Sequence, residues 1–93
     1  MSILTRYYFN KSLNFPKMKE SYSSIYQIIG ENIRQYREKS KWTQDDLANR
    51  CESVNRSKIS KMENARVDYM LSTLLEVCNA LGVDLNEITQ QKK

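Results

Sequence analysis

The nineteen residues from Thr43 to Lys61 constrain this chain more than any other stretch. They read Thr-Gln-Asp-Asp-Leu-Ala-Asn-Arg-Cys-Glu-Ser-Val-Asn-Arg-Ser-Lys-Ile-Ser-Lys, a pattern that divides into two short helices around a tight turn. Thr43 is placed as an N-cap with Asp46 three residues on, an approximate capping box, and Trp42 ahead of the cap can staple onto Leu47. Leu47, Ala48 and Cys51 mark the buried side of this first helix, expected over about residues 44–51. Glu52, Ser53 and Val54 form the turn, and Asn55 supplies the next cap. The second helix then covers about residues 56–64, with Ile59 and Met62 inward. Ala48 matters because a small residue there lets the two helices cross closely.

The flanking sequence is helical too. Ile25, Ile28, Ile29, Ile33 and Tyr36 recur at intervals of three and four, which predicts a helix from about Ser24 to Ser40. Gly30 in its middle costs roughly 1 kcal/mol relative to alanine, so either the chain packs closely there or the helix starts late. Leu71, Leu74, Leu75, Cys78 and Leu81 predict a further helix over 71–81, ended by Gly82 in a left-handed conformation. Asp84 with Glu87 is a capping box and Val83 with Ile88 a staple, which together open a short fifth helix. The expected fold class is all-α, with five helices over residues 24–91 and an irregular N-terminal extension over 1–23. That extension holds Tyr7, Tyr8, Phe9, Phe15 and the single proline, with no helical period. It reads as a disordered leader or as an extended arm that pairs with a partner subunit through Ile3–Phe9.

Composition limits the chemistry. A chain of 93 residues makes one domain with, at most, a tail. No histidine is present, which removes Ser-His-Asp and Cys-His catalysis and the commonest metal ligand. With no glycine-rich loop either, neither an enzyme nor a cofactor or metal is expected. Cys51 and Cys78 both fall on apolar helical faces, where cysteine is most often a small buried hydrophobe. No stretch approaches the ~20 apolar residues that span a bilayer. The N-terminus lacks the apolar run of a signal peptide, so a cytoplasmic protein with no membrane partner is expected.

The net charge of +4 is unevenly spread. Residues 1–19 carry four basic side chains and no acid, and Lys92–Lys93 add two more. Residues 20–91 carry nine basic and eleven acidic side chains, a net of −2. Affinity for a polyanion must therefore come from local arrangement. Arg50, Arg56, Lys58, Lys61 and Arg66 stand against only Glu52 and Glu63 between residues 50 and 66. Ser57, Ser60 and Lys61 fall opposite the apolar side of the 56–64 helix, flanked by Arg56 and Lys58. Hydroxyls, amines and a guanidinium on one helical face suit phosphates and base edges. The bland reading is an ordinary solvated helix in a small bundle.

From Ile29 to Ile88 the chain resembles the Cro/repressor-type (XRE-like) helix-turn-helix regulators. The matching stretches are Ile29-Gly-Glu-Asn-Ile-Arg-Gln-Tyr-Arg37, Thr43-Gln-Asp-Asp-Leu-Ala48, Ile59-Ser-Lys-Met-Glu-Asn64 and Leu81-Gly-Val83. The resemblance implies a lambda-repressor-like DNA-binding domain. It assigns base contacts to Arg56, Ser57 and Lys61, and DNA-backbone contacts to Asn64 and Arg66. Gln44 matches a position that contacts DNA and braces the recognition helix, at a helix start whose free N–H groups can hold a phosphate. Arg37 and Glu63 match a structural pair. The chain departs from the family in having one extra residue between Ala48 and Ile59, with Glu52 or Ser53 where the turn glycine is expected. That longer turn draws Lys58 and Ser60 into the contact set. Ala65 also stands where many members place glycine.

The resemblance implies a dimeric repressor of a palindromic operator in double-stranded DNA. Two other readings stay open: an antitoxin that binds a toxin while controlling its own operon, and a helix-turn-helix that has lost DNA binding. Phage repressors and restriction–modification controllers share the module.

Overall fold

The computed structural model describes residues 22–91, so residues 1–21 of the expected extension lie outside the described residues. Five helices follow in order: α1 (Ser23–Lys39), α2 (Gln44–Asn49), α3 (Arg56–Glu63), α4 (Leu71–Leu81) and α5 (Leu85–Thr89). Among the described residues there is no strand. None of their helices is long and apolar enough to cross a membrane. α1 is the spine, packing against α3, α4 and α5, while α2 lies across α3 and α4. The core they enclose is Ile29, Ile33, Leu47, Val54, Ile59, Met62, Leu74, Val77, Cys78 and Ile88.

Helices of five to eleven residues are too short to persist alone in water, so their ends are tied down. Thr43 accepts from the Asp46 N–H at 3.0 Å while the Asp46 carboxylate accepts from the Thr43 N–H at 2.8 Å. These bonds hold the Asp46 carboxyl below the usual carboxylate range, the Thr43 backbone bond contributing most. Asp84 and Glu87 repeat the arrangement at the start of α5. Asn55 caps α3 by accepting from the Lys58 N–H at 2.8 Å. At the far end of α5, the buried Asn32 amide donates to the carbonyls of Ile88 and Gln90 at 2.8 and 2.7 Å.

Three helices stop in one way, the Schellman pattern of a six-residue and a five-residue backbone bond around a left-handed residue. Trp42 bonds Arg37 and Lys41 bonds Glu38; Arg66 bonds Lys61 and Ala65 bonds Met62; Val83 bonds Cys78 and Gly82 bonds Asn79. The left-handed residues are Lys41 (φ 63°), Ala65 (φ 55°) and Gly82 (φ 76°). Only the last is glycine, so the first two stops carry a Cβ penalty that the paired bonds must outweigh.

Several expected positions shift. α2 ends at Asn49 rather than Cys51, because Arg50 and Cys51 tighten the last turn by bonding the carbonyls of Leu47 and Ala48. Ile25 is exposed at the outer end of α1, and Leu71 and Leu75 are exposed on α4. α4 turns its Leu74, Val77 and Cys78 side inward instead. Cys51 is half-buried, Cys78 is buried, and both are free thiols.

Gly30 belongs to a helix that starts seven residues earlier, at Ser23, so close packing and not a late start accounts for it. A Cβ there would stand 2.5 Å from the Glu63 carbonyl oxygen and 2.7 Å from that of Met62. Both obstacles are backbone, so α1 and α3 would have to part. Gly30→Ala is expected to lose about 1–3 kcal/mol of stability through overpacking, despite the ~1 kcal/mol that alanine gains in helix propensity. Thermal unfolding followed by circular dichroism reads this as a fall of about 4–8 °C per kcal/mol; an unchanged or higher Tm would refute the close approach.

Candidate nucleic-acid interface

The site is built on a buried carboxylate. Glu63, in the last turn of α3, has no side-chain exposure. Its Oε2 accepts from Arg37 Nε at 2.6 Å and its Oε1 from Arg37 Nη2 at 3.1 Å, a two-pronged pair across α1 and α3. Gln44 Nε2, at the start of α2, donates to the same Oε1 at 3.0 Å. Arg34 approaches that oxygen at 3.5 Å from a half-exposed position on α1. Arg37 also donates to the Trp42 carbonyl at 2.8 Å, fixing the α1–α2 connection. The bond to Glu63 holds the Arg37 guanidinium charged more firmly than usual. One side chain of α3 is thus fastened to both helices behind it.

With Ile59, Met62 and Glu63 held inward, the opposite face of α3 is fixed outward. Arg56, Ser57 and Lys61 are exposed, and Lys58 and Ser60 are partly covered on the flanks. Positions 56, 57, 60, 61 and 64 follow helical spacing, so they form one stripe. Arg56 Nε lies 3.8 Å from Asp45 Oδ1, with both side chains largely in solvent. This contact was not anticipated from sequence, and an exposed pair of that length is worth little.

Asn64 ends α3, its amide bonded to the Ser60 carbonyl at 2.8 Å and its oxygen accepting from Arg34 Nη2 at 3.3 Å. Arg66 is exposed just past the Schellman stop, which places it at the end of the stripe.

The geometry redistributes some roles. The Gln44 amide is turned inward to Glu63. Of the first-turn N–H groups of α2, that of Asp46 is already taken by Thr43, and Asp45 and Asp46 add negative charge there. Arg34 was not picked out from sequence; it reaches the same edge as Asn64, and only its spacing from Arg37 on one helical face gave a signal. Arg50 stacks over the Trp42 ring at 4.0 Å, so it belongs to the α2 scaffold and not to the stripe.

The turn between α2 and α3 also has an anchor that sequence did not reveal. Glu76 on α4 accepts from the backbone N–H groups of Glu52 and Ser53, the latter at 2.6 Å, and from the Ser53 hydroxyl at 2.8 Å. These bonds, the Ser53 backbone bond foremost, hold the Glu76 carboxyl below the usual carboxylate range.

Two short helices joined by a turn, the second pinned from behind with a basic and hydroxyl-bearing face outward, define a DNA-binding helix-turn-helix module. A family model described as a helix-turn-helix domain matches residues 28–90. The chain belongs to that family, as a regulator of the XRE-like type. Among solved structures it is similar to a hypothetical transcription factor, NHTF, from Neisseria. The two share 25% identity and a TM-score of 0.69, over 85% of this chain and 90% of the other. No curated protein matches this chain.

Removing one partner of the buried pair strands the other. Arg37→Met is expected to cost about 3–5 kcal/mol, whereas Arg37→Met combined with Glu63→Met should cost less than the single change. Urea unfolding of both variants and the parent checks this; equal losses would show that Glu63 does not depend on Arg37.

Proposed function

We propose that this chain is a sequence-specific repressor that reads the major groove with α3 and binds its operator as a two-fold dimer. The observation that carries this reading is the outward stripe of exposed Arg56, Ser57 and Lys61 with partly covered Ser60, on a helix whose other face is locked by Glu63. Arg56, Ser57 and Lys61 act on base edges. A lysine or arginine there favours guanine O6 and N7, and serine accepts several bases. Lys58, Ser60, Asn64 and Arg66 hold the sugar–phosphate backbone and set the orientation of α3. Gln44 contributes by bracing α3 through Glu63 and by flanking the stripe. Repression follows from occupancy of a promoter and needs no cofactor.

The dimer is supported by size and by surface. One small module buries only about 600–1,000 Å² of its own surface on DNA, and two copies one helical turn apart, ~34 Å, double the readout on a palindrome. Met70, Leu71, Leu75 and Leu85 leave apolar side chains in solvent, with exposures from 40 to 69%. Leu71 and Leu75 lie one turn apart on α4, a spacing that a second copy related by a two-fold axis can match with the same residues. A toxin occupying this face, in an antitoxin that controls its own operon, is the second reading. Co-purification with a small protein of different sequence would favour it.

In a binding titration, Lys61→Ala should lose about 1–3 kcal/mol on the preferred site and relax the preference at one base pair. Arg66→Ala should weaken all sequences alike and lower the salt slope by about 1. Wild-type behaviour in both variants would remove α3 from the interface. Leu71→Asp with Leu75→Asp should sediment as a monomer and lose the cooperative binding of a palindrome while keeping half-site preference. A double variant that stays dimeric would move the subunit contact elsewhere.

A further inference from the structure

We propose that Glu76 is a specificity-determining positioning residue, whose carboxylate fixes the α2–α3 turn and thereby which base pairs the start of α3 faces. This deepens the assignment of α3 as the DNA-reading helix and rests on it. The turn has no glycine and is one residue longer than in the regulators it resembles, so its path is not set by a tight local conformation. The N–H groups of its first four residues are nevertheless bonded. Those of Arg50 and Cys51 bond back to Leu47 and Ala48, and those of Glu52 and Ser53 converge on Glu76. The second carboxylate oxygen takes the Ser53 hydroxyl at 2.8 Å.

Three donors from two consecutive residues therefore meet one side chain that lies 23 and 24 residues further along the chain. No ion pair involves Glu76 among the described residues, so the dipoles of backbone N–H groups and a hydroxyl stabilise its charge. Beyond Ser53 the chain has little slack. Val54 is buried in the core, Asn55 caps α3, and Arg56 opens the helix.

The lengths involved make this contact matter for readout. One residue of extended chain spans about 3.3–3.6 Å, and one base-pair step rises 3.4 Å. With α3 held from behind, a change in the turn's path well short of one residue's length is enough to misalign Arg56 and Ser57 with the base pair they face. Glu76, on α4, acts through Glu52 and Ser53.

Chemistry separates the informative variants. A glutamine at 76 can still accept both N–H groups with its carbonyl and donate to the Ser53 hydroxyl, so Glu76→Gln should preserve the geometry without the charge. Glu76→Ala removes the anchor, and Glu76→Asp keeps the charge but withdraws it by one methylene.

Selection of bound fragments from a random DNA pool, followed by titration on the selected site and on unrelated duplex, tests the proposal. Glu76→Ala is expected to lose or displace the base preference facing the start of α3. Its ratio of specific to non-specific affinity should fall about 5–150-fold, the discrimination of one base pair, while non-specific affinity holds. Glu76→Gln should select the parental site. A role confined to stability would lower Tm and leave the selected sequence and that ratio unchanged; this result would overturn the proposal. Should Glu76→Ala fail to fold, Glu76→Asp carries the same expectation and the same refutation. If the parent protein itself selects no sequence, the DNA-reading assignment fails and the role of Glu76 falls with it. A selective parent with an equally selective Glu76→Ala variant rejects Glu76 alone.

Discussion

A carboxylate without solvent exposure costs several kcal/mol unless its charge is met, and Glu63 is such a group. It is met from two other helices, by Arg37 and Arg34 on α1 and by Gln44 on α2. The recognition helix cannot rotate about its axis without tearing that carboxylate from its donors. Gly30 adds the steric half of the constraint, because the absence of a side chain lets the α1 backbone come against the Met62 and Glu63 carbonyls. Attraction through Glu63 and close approach at Gly30 act at the same end of α3. Together they decide which residues of an eight-residue helix face outward.

The other end of α3 is held by different means. Asn55 caps it, Val54 just before the cap is buried in the core, and Glu76 gathers the turn. Helices this short have almost no independent stability, so their positions reflect the tertiary bonds at their ends. Where those bonds are charged and lie at the surface, they respond to acid. The depressed carboxyls of Glu76 and Asp46 contribute in full above the usual carboxylate range. Their contribution drains as pH falls through that range toward their lowered folded values. The turn and the start of α2 therefore loosen in acid through these same carboxyls.

Much of this was legible from local sequence. The Thr43–Asp46 and Asp84–Glu87 capping boxes, the Asn55 cap and the Gly82 stop are signals in which residue type and required geometry lie within a few positions. The helix ends that these signals mark lie within a residue or two of those observed. The face of α4 did not follow, because Leu71, Leu74, Leu75, Val77, Cys78 and Leu81 fit more than one helical stripe. Packing against α1 and α2 chose between them. Asn32 and Glu76 were invisible for another reason. Each is a polar residue on an apolar-patterned helix, and each satisfies backbone groups 23 to 58 residues away. The longer turn could be counted in the sequence; the side chain that compensates for it could not.

The charge distribution gives that compensation its weight. Sequence-independent affinity comes from phosphate neutralisation by basic side chains, and residues 20–91 carry nine of these against eleven acids. Net charge over that stretch therefore adds nothing to the attraction, which is left to local arrangement. The Arg56–Asp45 contact, long and exposed on both sides, costs little to give up. On the function proposed above, discrimination then rests on a few side chains of one short helix. A protein so arranged depends less on how many cations it presents than on where the first turn of α3 is held. That location is set by a carboxylate at each end: Glu63 beneath the helix and Glu76 behind the turn that leads into it.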